Sequence, residues 1–503
     1  MRTPEDPPHA RRDPHRREPV IGMGARRASR RLPAVLTGVV VVVVVLLAGF
    51  LGSLQWSGPN ASPLAVILLR TRIVDGLVPV VVDVLAVLAV IFLVGRRWSV
   101  RRSLGAAAAS VAGAVVALVV LGIVAATDAF GVQLSTTTSI WVTVTFSSIG
   151  LAVAGLWSTS WLRRLGTATT VIVFVIAGTV GINADFGLNP TLGAFVGVST
   201  QKTITLPAVT PRPTASATPT ALAGGALWAN WHPPAGMPSA GSTSQVVIPN
   251  TLSHFPARPA GLYLPPAALV PNPPALPLVV MMMGQPGNPD PSFSQAVLDQ
   301  FAARHNGLAP IVLVADQIGN PAIDPLCLNT ARYGNAETYI EGDVVEWART
   351  HLHVLQDAAH WTIAGYSNGG ECALWFGASY PGVWGNVLDI SGEQYPGADQ
   401  SAATLQSVFH GDTAAYQATW PHNILPHGSY PNTVGIFTVG SNDYQYRREA
   451  IAVTADATAA KWKTTYFEVL NGGHVLGALN GGLSEGYSVL YPRLGLVAPG
   501  VTP

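Results

Sequence analysis

Five stretches of this chain are nearly free of charge and long enough, or almost so, to cross a lipid bilayer: Ala34–Leu54, Leu77–Val94, Leu104–Ala126, Ile140–Trp157 and Ala168–Ile182. A span needs about 20 mostly apolar residues to cover roughly 30 Å of hydrocarbon. With no water inside the bilayer, each stretch has to satisfy its own backbone hydrogen bonds as a helix. That requirement outweighs the mediocre helix propensity of the valine run Val39–Val45. Composition agrees, since only 11% of residues are charged, against about 25% in a soluble protein. The net charge of +1 provides no basic face for a nucleic-acid partner.

The arginines set the expected orientation. Arg26, Arg27, Arg30 and Arg31 precede the first span, Arg96, Arg97, Arg101 and Arg102 follow the second, and Arg163 and Arg164 follow the fourth. With five spans these segments share one side, read as the cytoplasm, and everything after Ile182 lies outside. Only Arg70 and Arg72, beside Asp75, depart from the pattern. The first span is too long for a signal-peptide core and has no small-residue cleavage site after it, so it reads as a retained anchor. Asp83, near the outer end of the second span, reads as an interfacial carboxylate. A transport pathway would show several such groups, and these spans lack them.

The chain therefore divides into a basic cytoplasmic tail (1–31), five transmembrane helices (32–183), a linker rich in Pro, Thr and Ala (184–242) and a C-terminal domain (243–503). The linker composition cannot bury a core and reads as a tether; Trp228 and Trp231 within it are read as docking on the domain or lying at the membrane surface. Beyond it, short apolar runs alternate with helical stretches. The predicted strands are Gln245–Ile248, Ala260–Leu264, Leu278–Met283, Ile311–Ala315, Trp361–Gly365, Val383–Ile390, Val434–Val439 and Thr464–Leu470. The predicted helices are Phe293–His305, Ala336–His351, Ser367–Tyr380, Tyr444–Lys461 and Leu476–Tyr491. Continuous apolar strands with helical crossovers point to a mostly parallel sheet in a three-layer α/β domain.

One segment carries a chemical signature. Gly365-Tyr366-Ser367-Asn368-Gly369 follows an apolar strand and opens a helix, the setting that exposes a serine hydroxyl on a sharp turn. Ser367 is the expected nucleophile. It needs a base, and the base needs an orienting carboxylate. Of twelve histidines, His474 is best placed, in the loop after the last predicted strand; His410, His422 and His427 are fallbacks. Asp443 follows the strand Val434–Val439 through Gly440-Ser441-Asn442, at the edge where open α/β sheets place ligand groups. Asp389, Glu393 and Asp412 compete with it for the acid. The oxyanion of an acyl-transfer intermediate needs donors, and the expected ones are the backbone N–H groups of Asn368 and Gln285; Pro286 has none. Cys327 and Cys372 lack metal-ligand spacing and are expected to be bridged, with two buried free thiols as the alternative.

At these residues the chain resembles the putative-esterase branch of the α/β-hydrolases, with esterase D-type enzymes, enterochelin esterases and envelope mycolyltransferases. The resemblance covers roughly residues 243–495. It rests on Leu262-Tyr263-Leu264-Pro265-Pro266, Met283-Gly284-Gln285-Pro286-Gly287, the Gly365–Gly370 segment and Gly472-Gly473-His474. Multi-pass membrane proteins of actinobacterial type with such an outer domain look similar along the whole length. The resemblance implies ester hydrolysis or acyl transfer without cofactor or metal. One departure is Gln285, where many relatives carry a histidine. The leading expectation is a membrane-anchored extracytoplasmic serine esterase acting through an acyl-enzyme on an acyl ester or an envelope lipid or glycan. Its rivals are an acyltransferase passing the acyl group to a sugar or lipid alcohol, and a non-catalytic envelope binding protein with a hydrolase-like domain. The aromatic insertion Gln394–Pro431 is expected either to shape the pocket or to form a local core.

Overall fold

A computed structural model describes residues 62–95, 99–127, 134–157, 160–206 and 226–501. Among them, four helices are long and apolar enough to cross a membrane: α1 (Leu77–Val94), α2 (Val100–Thr127), α3 (Thr136–Gly155) and α4 (Trp161–Phe186). They correspond to the second to fifth predicted spans. The first, Ala34–Leu54, lies outside the described residues, so five spans reduce to four here. The last helix is longer than the expected Ala168–Ile182, because Asn183 and Asp185 find partners that let the helix continue. The Asn183 amide donates to the Asn189 carbonyl, and Asp185 accepts from Ser135 and Thr138 at the start of α3.

The two ends of this bundle differ. Arg101, Arg102 and Arg163 gather with Trp157 around one cavity between the helices. At the other end, Phe186 runs into the C-terminal domain. Asp83 is exposed on α1.

The domain is built on eight strands: β1 (Ser242–Val246), β2 (Ala260–Leu264), β3 (Leu278–Met282), β4 (Ile311–Ala315), β5 (Trp361–Tyr366), β6 (Asn386–Ile390), β7 (Val434–Gly440) and β8 (Lys463–Val469). Their order is β1-β2-β4-β3-β5-β6-β7-β8. β1 pairs antiparallel with β2, and β2 with β4; every later pairing is parallel. This is an α/β-hydrolase sheet. The inner strands β3 to β7 are fully buried, as their mostly apolar sequences require when helices cover both faces. α5 (Ser292–Arg304) and α8 (Leu476–Arg493) pack together on one face, while α6 (Asn368–Ser379) and α7 (Tyr444–Ala459) cover the other. The crossovers through α5 and α6 run in opposite directions along the sheet, so right-handed connections send those helices to opposite faces.

Two predicted elements differ in detail. The predicted helix Ala336–His351 is broken by a π-helical turn, Tyr339–Val344. The stretch read as a tether is fastened at both described ends. Residues 202–204 pair with Gln245, and the Trp231 indole N–H donates to the Asn306 carbonyl at 2.8 Å. Trp231 thus docks on the domain.

Candidate active site

Ser367 sits between β5 and α6 with φ 56° and ψ −125°, a conformation that costs a non-glycine residue free energy and persists only where the surroundings impose it. Its N–H donates to the Ile390 carbonyl of β6 at 2.8 Å, which fixes the corner to the sheet. The turn closes so tightly that a Cβ on Gly365 would lie 1.8 Å from the Gly369 carbonyl oxygen. Only glycine fits at 365, and the serine side chain is left facing the cavity above the strand ends.

The loops after β7 and β8 are tied together and bring two further side chains to the same edge. Asn442 N–H donates to the Gly472 carbonyl at 2.7 Å, Ser441 N–H to the Val469 carbonyl at 3.0 Å, and Asn471 N–H to the Ser441 hydroxyl at 2.9 Å. Held this way, His474 Nε2 lies 2.8 Å from Ser367 Oγ, and its Nδ1 lies 2.7 Å from Asp443 Oδ2. A carboxylate only accepts, so Nδ1 carries the proton and Nε2 is free to accept from the serine hydroxyl. Asp443 immediately precedes α7. Two rings pack against the imidazole, Tyr446 at 4.1 Å and Tyr366 at 5.3 Å between centroids. The sequence reading missed both; Tyr446 on a helix is indistinguishable from a core residue by pattern alone.

The competing residues are elsewhere. Asp389 is buried and accepts from the Gly392 N–H, and burial pushes its carboxyl up to about 7. Asp412 caps a short helix through the Ala415 N–H, and His422 pairs with Asp456. Glu393 does line the cavity, but burial, with Asp399 and Asp324 nearby, holds its carboxyl well above the usual range. It is a poor carboxylate for orienting an imidazole.

Asn368 begins α6, so its N–H has no acceptor within the helix. Gly284 abuts the serine: a Cβ there would lie 2.9 Å from Ser367 Cβ. Gln285 follows, and the Gly287 N–H donates to the Gly284 carbonyl to close the loop. A network unseen in the sequence steadies this loop. Arg258 grips Asp316 through two guanidinium N–H groups, at 2.7 and 3.0 Å. The same guanidinium donates to the Gly287 carbonyl and the Asn288 side chain. On the other side of the loop, Gln317 donates to the Met283 carbonyl and to Asn368 Oδ1.

Ser367 and His474 open into a cavity of about 250 Å³. One side carries Asp324, Glu393 and Asp399; loss of bulk water pushes Asp324 up to about 6. Phe186, Leu188, Asn189 and Ala194, from the exit of α4, complete the wall. The insertion aromatics form a local core instead. Tyr395 stacks on Trp420 at 4.1 Å, and Tyr416 packs against Phe409 at 4.8 Å. Cys327 and Cys372 are bridged, joining the loop that carries Asp324 to α6 behind the serine.

The family model described as "Putative esterase" matches residues 257–475. A Corynebacterium glutamicum protein, named only as uncharacterized, is 32% identical over 343 residues, 65% of this chain and 77% of that protein. The chain belongs to this esterase family. Among solved structures, the esterase domain is similar to an S-formylglutathione hydrolase from Agrobacterium tumefaciens, at 15% identity and TM-score 0.43, covering 51% of this chain and 97% of that one. It is also similar to a ferulic acid esterase from Anaeromyces mucronatus, at 12% identity and TM-score 0.38, covering 51% and 92%.

Proposed function

We propose that this chain is a membrane-anchored serine esterase whose catalytic domain faces away from the cytoplasm. The observation that carries the reading is the continuous contact Ser367 Oγ–His474 Nε2–Nδ1–Asp443, at 2.8 and 2.7 Å. Ser367 Oγ attacks the acyl carbonyl while its proton passes to His474 Nε2, and Asp443 stabilises the imidazolium that results. The tetrahedral oxyanion accepts from the N–H groups of Asn368 and Gln285. As the intermediate collapses, the leaving alcohol takes the proton from Nε2 and the acyl group stays on Ser367. Water, deprotonated by His474, then attacks the acyl-enzyme; the carboxylic acid departs and the serine recovers its proton. The outward orientation is supported by the arginines at the end of the bundle remote from the domain.

The test is reaction of the full-length protein, in detergent or nanodiscs, with a fluorophosphonate probe. Labelling is expected to vanish in Ser367→Ala and to weaken strongly in His474→Ala. Labelling that persists without Ser367 overturns the assignment. Product analysis with and without added glycan acceptors separates hydrolysis, the expected outcome, from acyl transfer.

A further inference from the structure

The wall of the cavity contributed by residues 186–194 is not part of the hydrolase domain. It is the exit of a membrane span. α4 has 26 residues, about 39 Å at 1.5 Å per residue, against roughly 30 Å of hydrocarbon. Its last residue, Phe186, lines the cavity into which Ser367 opens. The serine therefore lies close to the bilayer surface.

The segment that follows crosses the mouth of the cavity and is fastened on both sides. Gly187, at φ 71°, has no room for a side chain, since a Cβ there would lie 2.7 Å from Leu476, two residues after His474. Seven residues later, Asn288 of the loop after β3 donates to the Ala194 carbonyl at 3.1 Å. In the sheet order, β3 lies beside the strand that ends at Ser367 and β8 lies at the sheet edge on its other side, so residues 187–194 run across the strand ends above the cavity that holds Ser367, as a strap. The strap is also braced from the membrane side: Ile73 N–H donates to the Pro190 carbonyl, and Leu192 N–H to the Thr71 carbonyl. Toward the cavity it presents Leu188 and Ala194 with Asn189 between them, and Met283 and Phe293 from the domain add apolar surface. A site roofed by the membrane exit and lined there with apolar groups is poorly placed for a solute arriving from bulk water. It is well placed for an ester whose acyl chain stays in the lipid and whose carbonyl lies at the interface.

From this geometry we infer that the substrate is a long-chain acyl ester resident in the same bilayer as the enzyme, its chain entering past Phe186 and Leu188 to bring the carbonyl to Ser367. The inference rests on the serine-esterase reading and adds the substrate class and its route.

The experiment uses the full-length protein in nanodiscs or vesicles and three substrates or probes: a fluorogenic long-chain ester in the same bilayer, the same ester in protein-free vesicles, and a water-soluble acetate ester. A fluorophosphonate probe monitors Ser367 in parallel. The ester sharing the bilayer is expected to turn over at least about tenfold faster than the ester in separate vesicles. Leu188→Asp, and separately Ala194→Trp, is expected to lower the ratio of long-chain to acetate kcat/KM by about tenfold or more, the scale of losses in apolar pockets. Equal turnover from both vesicle populations, or an unchanged ratio in both variants, overturns the membrane route while probe labelling stays intact. An unlabelled wild-type protein overturns the serine reading itself.

Discussion

The imidazole of His474 is held at both nitrogens, by Ser367 and Asp443, and the rings of Tyr366 and Tyr446 pack against it. The most specific of these contacts is the one to Asp443, because it decides which nitrogen carries the proton. In Asp443→Asn the amide can donate to Nδ1, which leaves the proton on Nε2, facing the serine. The tautomer is then wrong for accepting the Ser367 proton although the packing is unchanged. The kcat for ester hydrolysis is expected to fall on the order of 10³–10⁴-fold, with the melting temperature close to that of the unaltered protein. A change below about tenfold would mean that Asp443 does not orient the base.

Among the elements, the loop 284–288 is shaped by side chains far from it in sequence. In the proposed mechanism Arg258 would act as a positioning residue, because its guanidinium joins the buried Asp316 to Gly287 and Asn288. Lysine would keep the charge but not the planar fork that serves three acceptors at once. Arg258→Lys is therefore expected to leave a folded protein that labels slowly, with kcat lowered about tenfold through a loosened oxyanion loop, and kcat more affected than KM. Stopped-flow measurement of acyl-enzyme formation checks this; an unchanged acylation rate would remove Arg258 from the mechanism. The contrast with what the sequence discloses is physical. β2 and β4 are legible to the residue because strands covered on both faces are continuous apolar runs, and Ser367 is legible because its corner excludes side chains at Gly365. Asp443 and His474 could be placed because they follow strand ends. Arg258, Tyr446 and the strap 187–194 carry no local pattern, since their roles exist only once distant elements meet. The π-helical turn Tyr339–Val344 was unreadable for a related reason: the apolar periodicity it interrupts is still helical on either side.

Across the domain, several carboxyl groups are withdrawn from water. Burial pushes Asp389 up to about 7, Glu449 to about 7, Glu341 to about 8 and Asp324 to about 6; Glu371 and Glu393 are also raised. Each of these groups binds its proton more tightly in the folded state than in the unfolded chain, where the ordinary value is near 4. Below that ordinary value both states are protonated and the neutral buried form is tolerated. As the pH rises past it, the unfolded chain ionises first, so stability falls until the folded-state value is passed. The ion pairs run the other way: Asp357 beside His360 and Glu468 beside Arg447 are lowered, so their contribution is lost on acidification. They sit nearer the surface, where solvent screens them and makes them worth little. The buried groups should therefore dominate, and the melting temperature in nanodiscs is expected to fall from pH 5 to pH 8. Asp389→Asn isolates one proton of this effect. The amide can still accept from the Gly392 N–H, and it removes the ionisable oxygen Oδ2, which has no hydrogen-bond partner. Relative to the unaltered protein, its stability is expected to gain about 1.4 kcal/mol per pH unit between roughly pH 4 and 7. Parallel stability curves for the two proteins across that interval would show that Asp389 is already ionised in the fold, and that the domain balances its buried charge by a route other than keeping protons.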